Sequence, residues 1–342
     1  MRKYRKQEHI ENYLRSTHKG DALFCDVHLV HNSLPEMGEK DVNLSTTWLD
    51  FDLAAPLMIN AITGGSDFAQ AINEDLAHLA KRFSLPMAVG SQTIALEDPT
   101  SHRSFQVVRE IMGDLPVFSN LSALHGLDEA RRAVEILGAD GIQIHLNPAQ
   151  EMVMREGDRD FSKSLAHIAE IVQGIEVPVI VKEVGFGMSP STVKTLYDVG
   201  VRCVDVAGFG GTNFFEVENL RHPEEDFSDL FDWGIPTSLC ILGAKKLGLS
   251  DLSLVGSGGI RDALDLVKSL VLGADMTAMS GEILSYLTHG GRAYAEEFLE
   301  QLLRKVRILM VLVGARNLEE LKQSPYWLSG TLATLFGPGR FE

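Results

Sequence analysis

Short apolar runs alternate with longer stretches of helical periodicity along most of the chain. The runs are apolar on both alternating faces, which is typical of strands buried on both sides of a parallel sheet. Eight runs are predicted as strands: Leu57–Ala61, Met87–Gly90, Val117–Ser119, Gly141–His145, Val179–Lys182, Cys203–Ala207, Leu252–Val255 and Met276–Met279.

Apolar positions in the intervening stretches recur with a period near 3.6 residues, which predicts amphipathic helices. The predicted helices include Ala69–Phe83, Leu127–Leu137, Phe161–Gln173, Ser191–Val199, Thr237–Leu247 and Ala263–Leu272. Glycines such as Gly138 and Gly200 follow them, where a left-handed residue often ends a helix. Pro190 fits the first turn of a helix.

Eight strands that alternate with helices predict an α/β fold, a closed (β/α)8 TIM barrel, and we expect residues 1–342 to form one domain. Residues 1–50 precede the barrel as an N-terminal extension, and Ala293–Gly314 is predicted as a long final helix. The alternative is an open doubly wound sheet. That fold normally carries its glycine fingerprint after the first strand, whereas this chain is richest in glycine at its later turns.

The net charge of −16 restricts the possible partners. Nucleic acids and anionic membranes are bound by basic surfaces, so neither is expected here. The cysteines Cys25, Cys203 and Cys240 are widely spaced and suggest reduced thiols. No run approaches the ~20 apolar residues of a membrane helix, and no apolar stretch follows the charged N-terminus as in a secretory signal. We therefore expect a cytoplasmic protein.

Small residues gather at the last two predicted strand-to-helix turns. The seventh strand runs into Gly256-Ser-Gly-Gly-Ile-Arg261, and the eighth runs into Met279-Ser-Gly281. In such barrels a phosphate often binds at these turns, because backbone N–H groups and a helix N-terminus converge on its oxygens. The sequence therefore predicts a phosphorylated cofactor, and FMN in particular. The alternative is that these glycines serve only the tight turns.

Polar side chains follow the other predicted strands. They include Thr63, Ser91, Gln92, Asn120, His145, Asn147, Gln150, Glu151, Lys182, Glu183 and Thr212. A barrel interior does not need such residues for packing, so their gathering at one mouth favours function. Lys182 can stabilise negative charge on a flavin ring. His145 is a candidate site residue, although a lone histidine of this kind is also found as a satisfied core residue.

Two further groups suit a phosphorylated substrate. Gln150 and Glu151 offer the hard oxygen ligands that Mg²⁺ prefers when it also binds substrate phosphates. Arg5, Lys6 and His9 form a basic cluster that can neutralise a diphosphate if the N-terminal segment folds over the mouth of the barrel. The alternative for this cluster is a solvated basic tail.

Taken together, these motifs resemble those of the type 2, flavin-dependent isopentenyl diphosphate isomerases. The resemblance covers nearly the whole chain, and its most specific parts are the N-terminal Arg-Lys-x-x-His and the His-Leu-Asn-x-x-Gln-Glu run. The matching segments are 5–9, 56–65, 89–92 with 95–99, 143–151, 181–185, 210–213 and 258–261. Two positions depart from the family: Thr93 stands where many relatives have Arg, and Ile62 stands where they usually have Met.

The resemblance implies roles for individual residues. FMN would be held by Ala61, Thr63, Ser91, Asn120, Lys182 and Thr212, with its phosphate against Gly258, Gly259, Arg261, Ala278 and Met279. The substrate diphosphate would meet Arg5, Lys6, His9, His145, Asn147 and Ser91 or Gln92. Gln150 would lie beside the alkene, Glu151 would bind Mg²⁺, and Gln150, His145 and Lys182 would carry the catalysis.

The resemblance also implies an activity and an assembly. The enzyme would interconvert isopentenyl and dimethylallyl diphosphate in isoprenoid biosynthesis through protonation and deprotonation at reduced FMN, with NADPH or NADH as reductant. It would assemble as a homotetramer or homo-octamer.

Three other functions are considered. An FMN-dependent 2-hydroxy acid oxidase would carry His-Gly-Gly-Arg after its sixth strand, but here that sequence is His289–Arg292, after the eighth. A dehydrogenase of the inosinate type needs a nucleophilic cysteine in a mobile loop, which none of the three cysteines provides. A non-catalytic FMN-binding barrel would have no use for Arg5, Lys6, His145 and Glu151.

The stretch Asn213–Asp232 is long and partly acidic, with aromatic residues interleaved. Long loops after barrel strands often act as lids, so a lid over the mouth is one prediction. A poorly ordered, solvated insertion is the alternative.

Overall fold

The computed structural model describes residues 2–18, 20–337 and 341, and the side chains from residue 6 onwards. The strands are β1 (Val27–Leu29), β2 (Thr46–Trp48), β3 (Phe51–Leu53), β4 (Leu57–Ile59), β5 (Met87–Ala88), β6 (Val117–Ser122), β7 (Gly141–His145), β8 (Val179–Lys182), β9 (Cys203–Asp205), β10 (Ser253–Ser257), β11 (Met276–Met279) and β12 (Tyr326–Leu328).

The helices are α1 (Arg2–Arg15), α2 (Asp67–Phe83), α3 (Thr93–Glu97), α4 (Arg103–Met112), α5 (Leu127–Leu137), α6 (Pro148–Val153), α7 (Ser164–Gly174), α8 (Pro190–Asp198), α9 (Phe214–Arg221), α10 (Thr237–Lys246), α11 (Ala263–Leu272), α12 (Gly281–Val313), α13 (Leu318–Lys322) and α14 (Gly330–Leu335).

Strands β4 to β11 form a closed, parallel barrel in chain order, and β11 pairs with β4 to complete it. The predicted (β/α)8 barrel is therefore confirmed, and the open doubly wound sheet is excluded. Each barrel strand coincides with or overlaps one of the predicted apolar runs. The strands are buried on both faces, which is why their sequences do not alternate between apolar and polar residues.

The N-terminal end of the barrel is covered by the hairpin of β2 and β3. Trp48 of this hairpin packs on the barrel residue Phe118, with ring centroids 5.6 Å apart. Its indole N–H donates to Ser253 Oγ at 2.9 Å. The opposite end, to which the C-termini of the strands point, remains available for a site.

Two parts of the chain differ from the sequence-based predictions. The helix predicted over Ala293–Gly314 is present as the part of α12 after its break at Gly291, but it is not the final helix, because α13, β12 and α14 follow it. Strand β12 forms by pairing with β1, in the register Val27↔Leu328, and such a long-range partner leaves no local signal.

The segment Asn213–Asp232 is not an unstructured insertion. It contains α9, and the carboxylates of Glu216 and Glu218 on that helix are buried. The acidic composition of the segment suggested solvent exposure, but both carboxylates have hydrogen-bond partners inside the protein. None of the helices in the described ranges is long and apolar enough to span a membrane.

Candidate active site

A cavity of about 590 Å³ lies at the C-terminal ends of the barrel strands. It is lined by the turns that follow the strands and by one face of α1. The predicted site residues that line it are Lys6, His9, Ala61, Thr63, Ser91, Asn120, His145, Asn147, Gln150, Glu151, Lys182, Thr212, Gly258, Gly259, Arg261, Ala278 and Met279.

Helix α1 lies across this cavity. Lys6, His9, Ile10 and Tyr13 line it, and their spacing places them on one face of the helix. Lys6 Nζ donates to the carbonyl oxygen of Ser91 at 2.6 Å. The basic cluster is therefore part of a helix over the site rather than a solvated tail. Arg5 belongs to the same helix, but its side chain lies outside the described residues.

The chain after α1 is held by α9. The N–H groups of Thr17 and His18 each donate to the carboxylate of Glu216 at 2.9 Å. Glu216 is buried, so these hydrogen bonds are shielded from water. The segment that was predicted as a lid or an insertion thus supports the helix that covers the cavity.

The turns after β9 and β10 approach each other so closely that only glycine fits. A Cβ atom on Gly258 would lie 2.1 Å from the carbonyl oxygen of Gly208, and one on Gly259 would lie 2.6 Å from that of Gly210. Both residues also have positive φ, of 94° and 75°. Arg261 Nη2 donates to Gly210 O at 2.7 Å, which ties the two turns together.

The N-terminus of α12 opens onto the same part of the cavity, just after Ala278 and Met279. Its N-cap residue, Ser280, makes no side-chain capping hydrogen bond, so the first N–H groups of the helix are not satisfied in that way. Such groups, together with the helix dipole, favour an anion. By contrast, the N-terminus of α11 is capped by Asp262, which accepts from two backbone N–H groups.

One wall of the cavity carries a polar atom that lacks a partner. Thr63 Oγ1 is buried and has no hydrogen-bond partner among the described residues. A buried hydroxyl without a partner is costly, which favours a ligand that satisfies it. With the glycine turns and the N-terminus of α12, this wall fits a flavin whose phosphate lies at β10 and β11.

Lys182 ends β8 inside the barrel and is only 7% exposed. Its Nζ donates to the carbonyl oxygen of Glu183 at 2.5 Å. Burial lowers the pKa of Lys182, while the nearby carboxylates of Asp205 and Glu183 oppose that shift. The Glu183 carboxylate shapes the next turn by accepting from the N–H groups of residues 184–187.

His145 lies beside Lys182 in register, on the adjacent strand β7. Its Nδ1 and Asn120 Oδ1 are 2.8 Å apart. Burial, together with the nearby Lys182, His125 and Lys6, lowers the pKa of His145 to about 3. The ring is therefore neutral at neutral pH.

Glu218 was not foreseen from the sequence, yet its buried carboxylate lies against the cavity residues. Glu218 Oε1 accepts from Gln150 Nε2 at 2.6 Å and lies 2.9 Å from His9 Nε2. Burial would raise the pKa of Glu218, but hydrogen bonds from His9 and Gln150 and the charge of Arg221 lower it overall. The signal in the sequence is that Glu218 and Arg221 are three residues apart, the spacing at which side chains meet on a helix.

The predicted magnesium ligand, Glu151, lies on α6 at the rim of the cavity. Its Oε2 accepts from the N–H of Asp158 at 2.9 Å. Within the part of the chain that the structure describes, no group of three or more His, Cys, Asp or Glu side chains is arranged to hold a metal ion. A magnesium ion here would therefore need ligands from a substrate.

Gln92 differs from its prediction as a substrate contact. It is fully buried behind the cavity wall, where its Nε2 donates to Ala133 O at 3.0 Å and its Oε1 accepts from the N–H of Asn120 at 3.2 Å. Its amide is already satisfied by the protein, so the side chain ties strand β6 to helix α5. The neighbouring Ser91 does line the cavity.

The features of the rival enzymes lie away from the cavity. His289 and Arg292 are on α12. The Arg292 guanidinium lies 3.7 Å from Asp75 Oδ1 on α2 and 3.8 Å from Glu296 Oε1 on α12 itself. Cys203 and Cys240 are buried, and burial raises the pKa of both thiols. Neither therefore offers a reactive thiolate.

Comparison with known proteins bears on this site. A family model described as FMN-dependent dehydrogenase matches residues 119–328. An isopentenyl-diphosphate delta-isomerase of Listeria innocua is 42% identical over 334 residues, which is 97% of this chain and 93% of the relative. The chain belongs to the FMN-dependent dehydrogenase family and, within it, to the isopentenyl-diphosphate delta-isomerases. The isomerase of a Geobacillus species is also 42% identical to this family member, over 95% of the chain and 93% of the relative.

Solved structures share the fold of this chain. A lactate oxidase of Pediococcus acidilactici aligns with a TM-score of 0.67 and 16% identity, over 94% of this chain and 87% of the oxidase. A mandelate oxidase aligns with a TM-score of 0.70 and 16% identity, over 94% and 96% of the two chains. At this identity the likeness concerns the fold alone.

Proposed function

We propose that this protein interconverts isopentenyl diphosphate and dimethylallyl diphosphate. One observation carries the proposal beyond family membership. Helix α1 brings Lys6 and His9 over the same cavity that holds the glycine turns, so one space contains both a cradle for a cofactor phosphate and cations for a second phosphorylated molecule.

FMN would occupy the inner part of the cavity. Its phosphate would lie against Gly258, Gly259, Arg261, Ala278 and Met279, and the rest of the molecule would meet Ala61, Thr63, Ser91, Asn120, Lys182 and Thr212. Lys182 would face the pyrimidine ring, where a cation favours an anionic flavin. When reduced, FMN would supply the proton donor and the electron-rich face that protonation of a simple alkene requires.

The substrate would lie between the flavin and α1. Lys6 and His9 of that helix, with Arg5, His145, Asn147 and Ser91, would bind the diphosphate. Glu151 would hold Mg²⁺ together with phosphate oxygens, as one carboxylate commonly does in magnesium sites. A ring of cations and a magnesium ion also explains how a protein of net charge −16 could attract a polyanion.

The pair of Gln150 and Glu218 would act near the alkene. The reaction adds a proton at one end of the alkene and removes one two carbons away, so no net oxidation occurs. Asn147 Nδ2 donates to Gln150 Oε1 at 2.8 Å and Gln150 Nε2 donates to Glu218, which fixes the orientation of the amide. Gln150 would orient the substrate, while the Glu218 carboxylate would hold the proton that leaves.

Other properties remain predictions. They are NADPH or NADH as the reductant, assembly into homotetramers or homo-octamers, and location in the cytoplasm. Closure of the 213–232 segment over the mouth, and the organisation of the whole chain as one domain, also stay predictions.

The decisive experiment is anaerobic. Purified protein is incubated with FMN, NADPH and Mg²⁺, isopentenyl diphosphate is added, and the vinyl protons are followed by NMR. We expect conversion to dimethylallyl diphosphate that disappears when the flavin stays oxidised. Bound, reduced FMN without conversion would refute the isomerase activity, and conversion that does not depend on reduction would refute the role of the flavin.

A further inference from the structure

A continuous series of hydrogen-bonded side chains, with three amides at its centre, crosses the inside of the barrel beneath the cavity. It starts at Asp205 on β9, passes through Asn60, Gln143 and Asn120, and ends at His145. All the members before His145 are at most 3% exposed. Buried polar groups of this kind are costly unless every one is satisfied, so their presence inside a barrel calls for a physical role.

The direction of the chain is fixed at the Asp205 end. Asn60 Nδ2 donates to Asp205 Oδ2 at 2.7 Å. The N–H of Ala61 donates to Asn60 Oδ1 at 2.9 Å, which requires the same orientation. Asp205 Oδ1 is occupied by Ser257 Oγ at 2.5 Å and by the N–H of Ala207 at 3.2 Å.

The orientation of Asn60 then sets the orientation of each following amide. Asn60 Oδ1 accepts from Gln143 Nε2 at 2.8 Å, and Gln143 Oε1 then accepts from Asn120 Nδ2 at 3.0 Å. Asn120 is left with Oδ1 to offer to His145 Nδ1 at 2.8 Å. An amide oxygen only accepts, so Nδ1 of the histidine must carry a hydrogen.

We propose that Asp205, Asn60, Gln143 and Asn120 form a directional relay that holds His145 in the Nδ1–H tautomer, with Nε2 as a hydrogen-bond acceptor for the cavity. The four residues are positioning residues, because they act through His145. The strand register places the members of the relay at one level of the barrel. Asn120 on β6 lies opposite Gln143 on β7, and Asp205 on β9 lies opposite Lys182 on β8.

The charges around His145 also favour the neutral form of its ring. Only the neutral form has two tautomers. Lys182 faces it from β8, Lys6 from α1 and His125 from the turn after β6, and all three disfavour the imidazolium. A second proton on Nε2 is therefore unfavourable in the free protein.

The tautomer has a consequence for the ligand. A neutral Nε2 with a lone pair repels a fully ionised phosphate oxygen but accepts a hydrogen bond from a P–OH group. The group that meets His145 is then a monohydrogen diphosphate, which brings its own proton. This consequence rests on the proposed function, whereas the tautomer does not.

The test is ¹⁵N NMR of the full-length protein carrying ¹⁵N-labelled histidine, with the His145 signals assigned from their loss in His145→Asn. The ¹⁵N shift separates protonated from unprotonated ring nitrogens. We expect a protonated Nδ1 and an unprotonated Nε2. A protonated Nε2 in the wild-type protein would overturn the proposal without any variant being needed.

A variant then tests the relay itself. Gln143→Leu breaks it in the middle and leaves the Asn120 amide free to turn. If this variant remains folded, we expect the His145 signals to shift to a mixture of tautomers or to the Nε2–H form. Ser119→Ala is the matched control, because Ser119 Oγ donates to Ala133 O at 2.9 Å in an equally buried but separate hydrogen bond on β6.

Unchanged His145 shifts in folded Gln143→Leu, or the same change in the control, would refute the relay. None of these readouts requires turnover, so failure of the relay and failure of the isomerase are distinguishable.

Discussion

Gln150 and Glu218 come from different helices, α6 and α9, and meet through a hydrogen bond of 2.6 Å between Nε2 and Oε1. The carboxylate is buried, and it is also 2.9 Å from His9 on α1. Three segments that are separate in the sequence therefore converge on one anion at the cavity. This convergence makes Glu218 the most informative residue for substitution.

Glu218→Gln removes the negative charge and replaces one acceptor oxygen by a donor. We expect kcat to fall by about 10²–10⁴-fold, the range typical of a lost acid–base group. The measurement is turnover with reduced FMN. Glu225→Gln is the control, because Glu225 is outside the cavity and pairs with Arg155 at 2.6 Å. If kcat of Glu218→Gln stayed within a few-fold of wild type, a role in proton transfer would be ruled out.

Gly259→Ala tests the phosphate turn. The added Cβ would lie 2.6 Å from Gly210 O at a φ of 75°, so the turn must shift. We expect FMN affinity to fall at least about tenfold, equivalent to about 1.4 kcal/mol, in a flavin fluorescence titration. Gly248→Ala is matched to it, with a φ of 66° and no atom within 4 Å of the new Cβ. Equal losses in both variants would mean that backbone strain, and not the turn at the cavity, sets the affinity.

Glu151→Gln tests the magnesium ligand. An amide is a weaker ligand than a carboxylate for a hard cation, so the Mg²⁺ concentration required for half-maximal turnover should rise about tenfold or more. Mg²⁺ titration of activity measures this, with Glu170→Gln on the outer helix α7 as the control. An unchanged Mg²⁺ dependence in Glu151→Gln would remove Glu151 from the metal site.

His145→Asn tests the neutral histidine through the pH dependence of stability. The pKa of His145 is lowered from 6.5 to about 3 in the folded protein, so the unfolded chain binds a proton within that window and the folded chain does not. Stability therefore falls as the pH decreases from 6.5 toward 3, by at most about 2 kcal/mol from this residue between pH 7 and pH 5.

The variant should lose that part of the dependence, measured by denaturant unfolding at the two pH values. His289→Asn, at an exposed position on α12, should retain the wild-type dependence. Identical pH dependence in the wild-type protein and His145→Asn would contradict a neutral His145.

The sequence by itself determined the barrel and most of its mouth. Runs such as Gly141–His145 and Val179–Lys182 coincide with β7 and β8, because strands buried on both sides need continuous apolar residues. Once these strands were assigned, the residues at their C-terminal ends had to share one mouth. This is why the sequence alone groups Asn120, Lys182 and Gly258 in one site.

Only the tertiary structure decided what lies over and beneath that mouth. Helix α1 is rich in charge and looks like a tail until α9 supports it through Glu216. Glu218 looks like a solvated acid until Gln150 and His9 surround it. The donor-to-acceptor direction of the relay that starts at Asp205 likewise depends on hydrogen bonds between strands. Such contacts join residues far apart in sequence, and the local periodicity that predicts helices and strands carries no information about them.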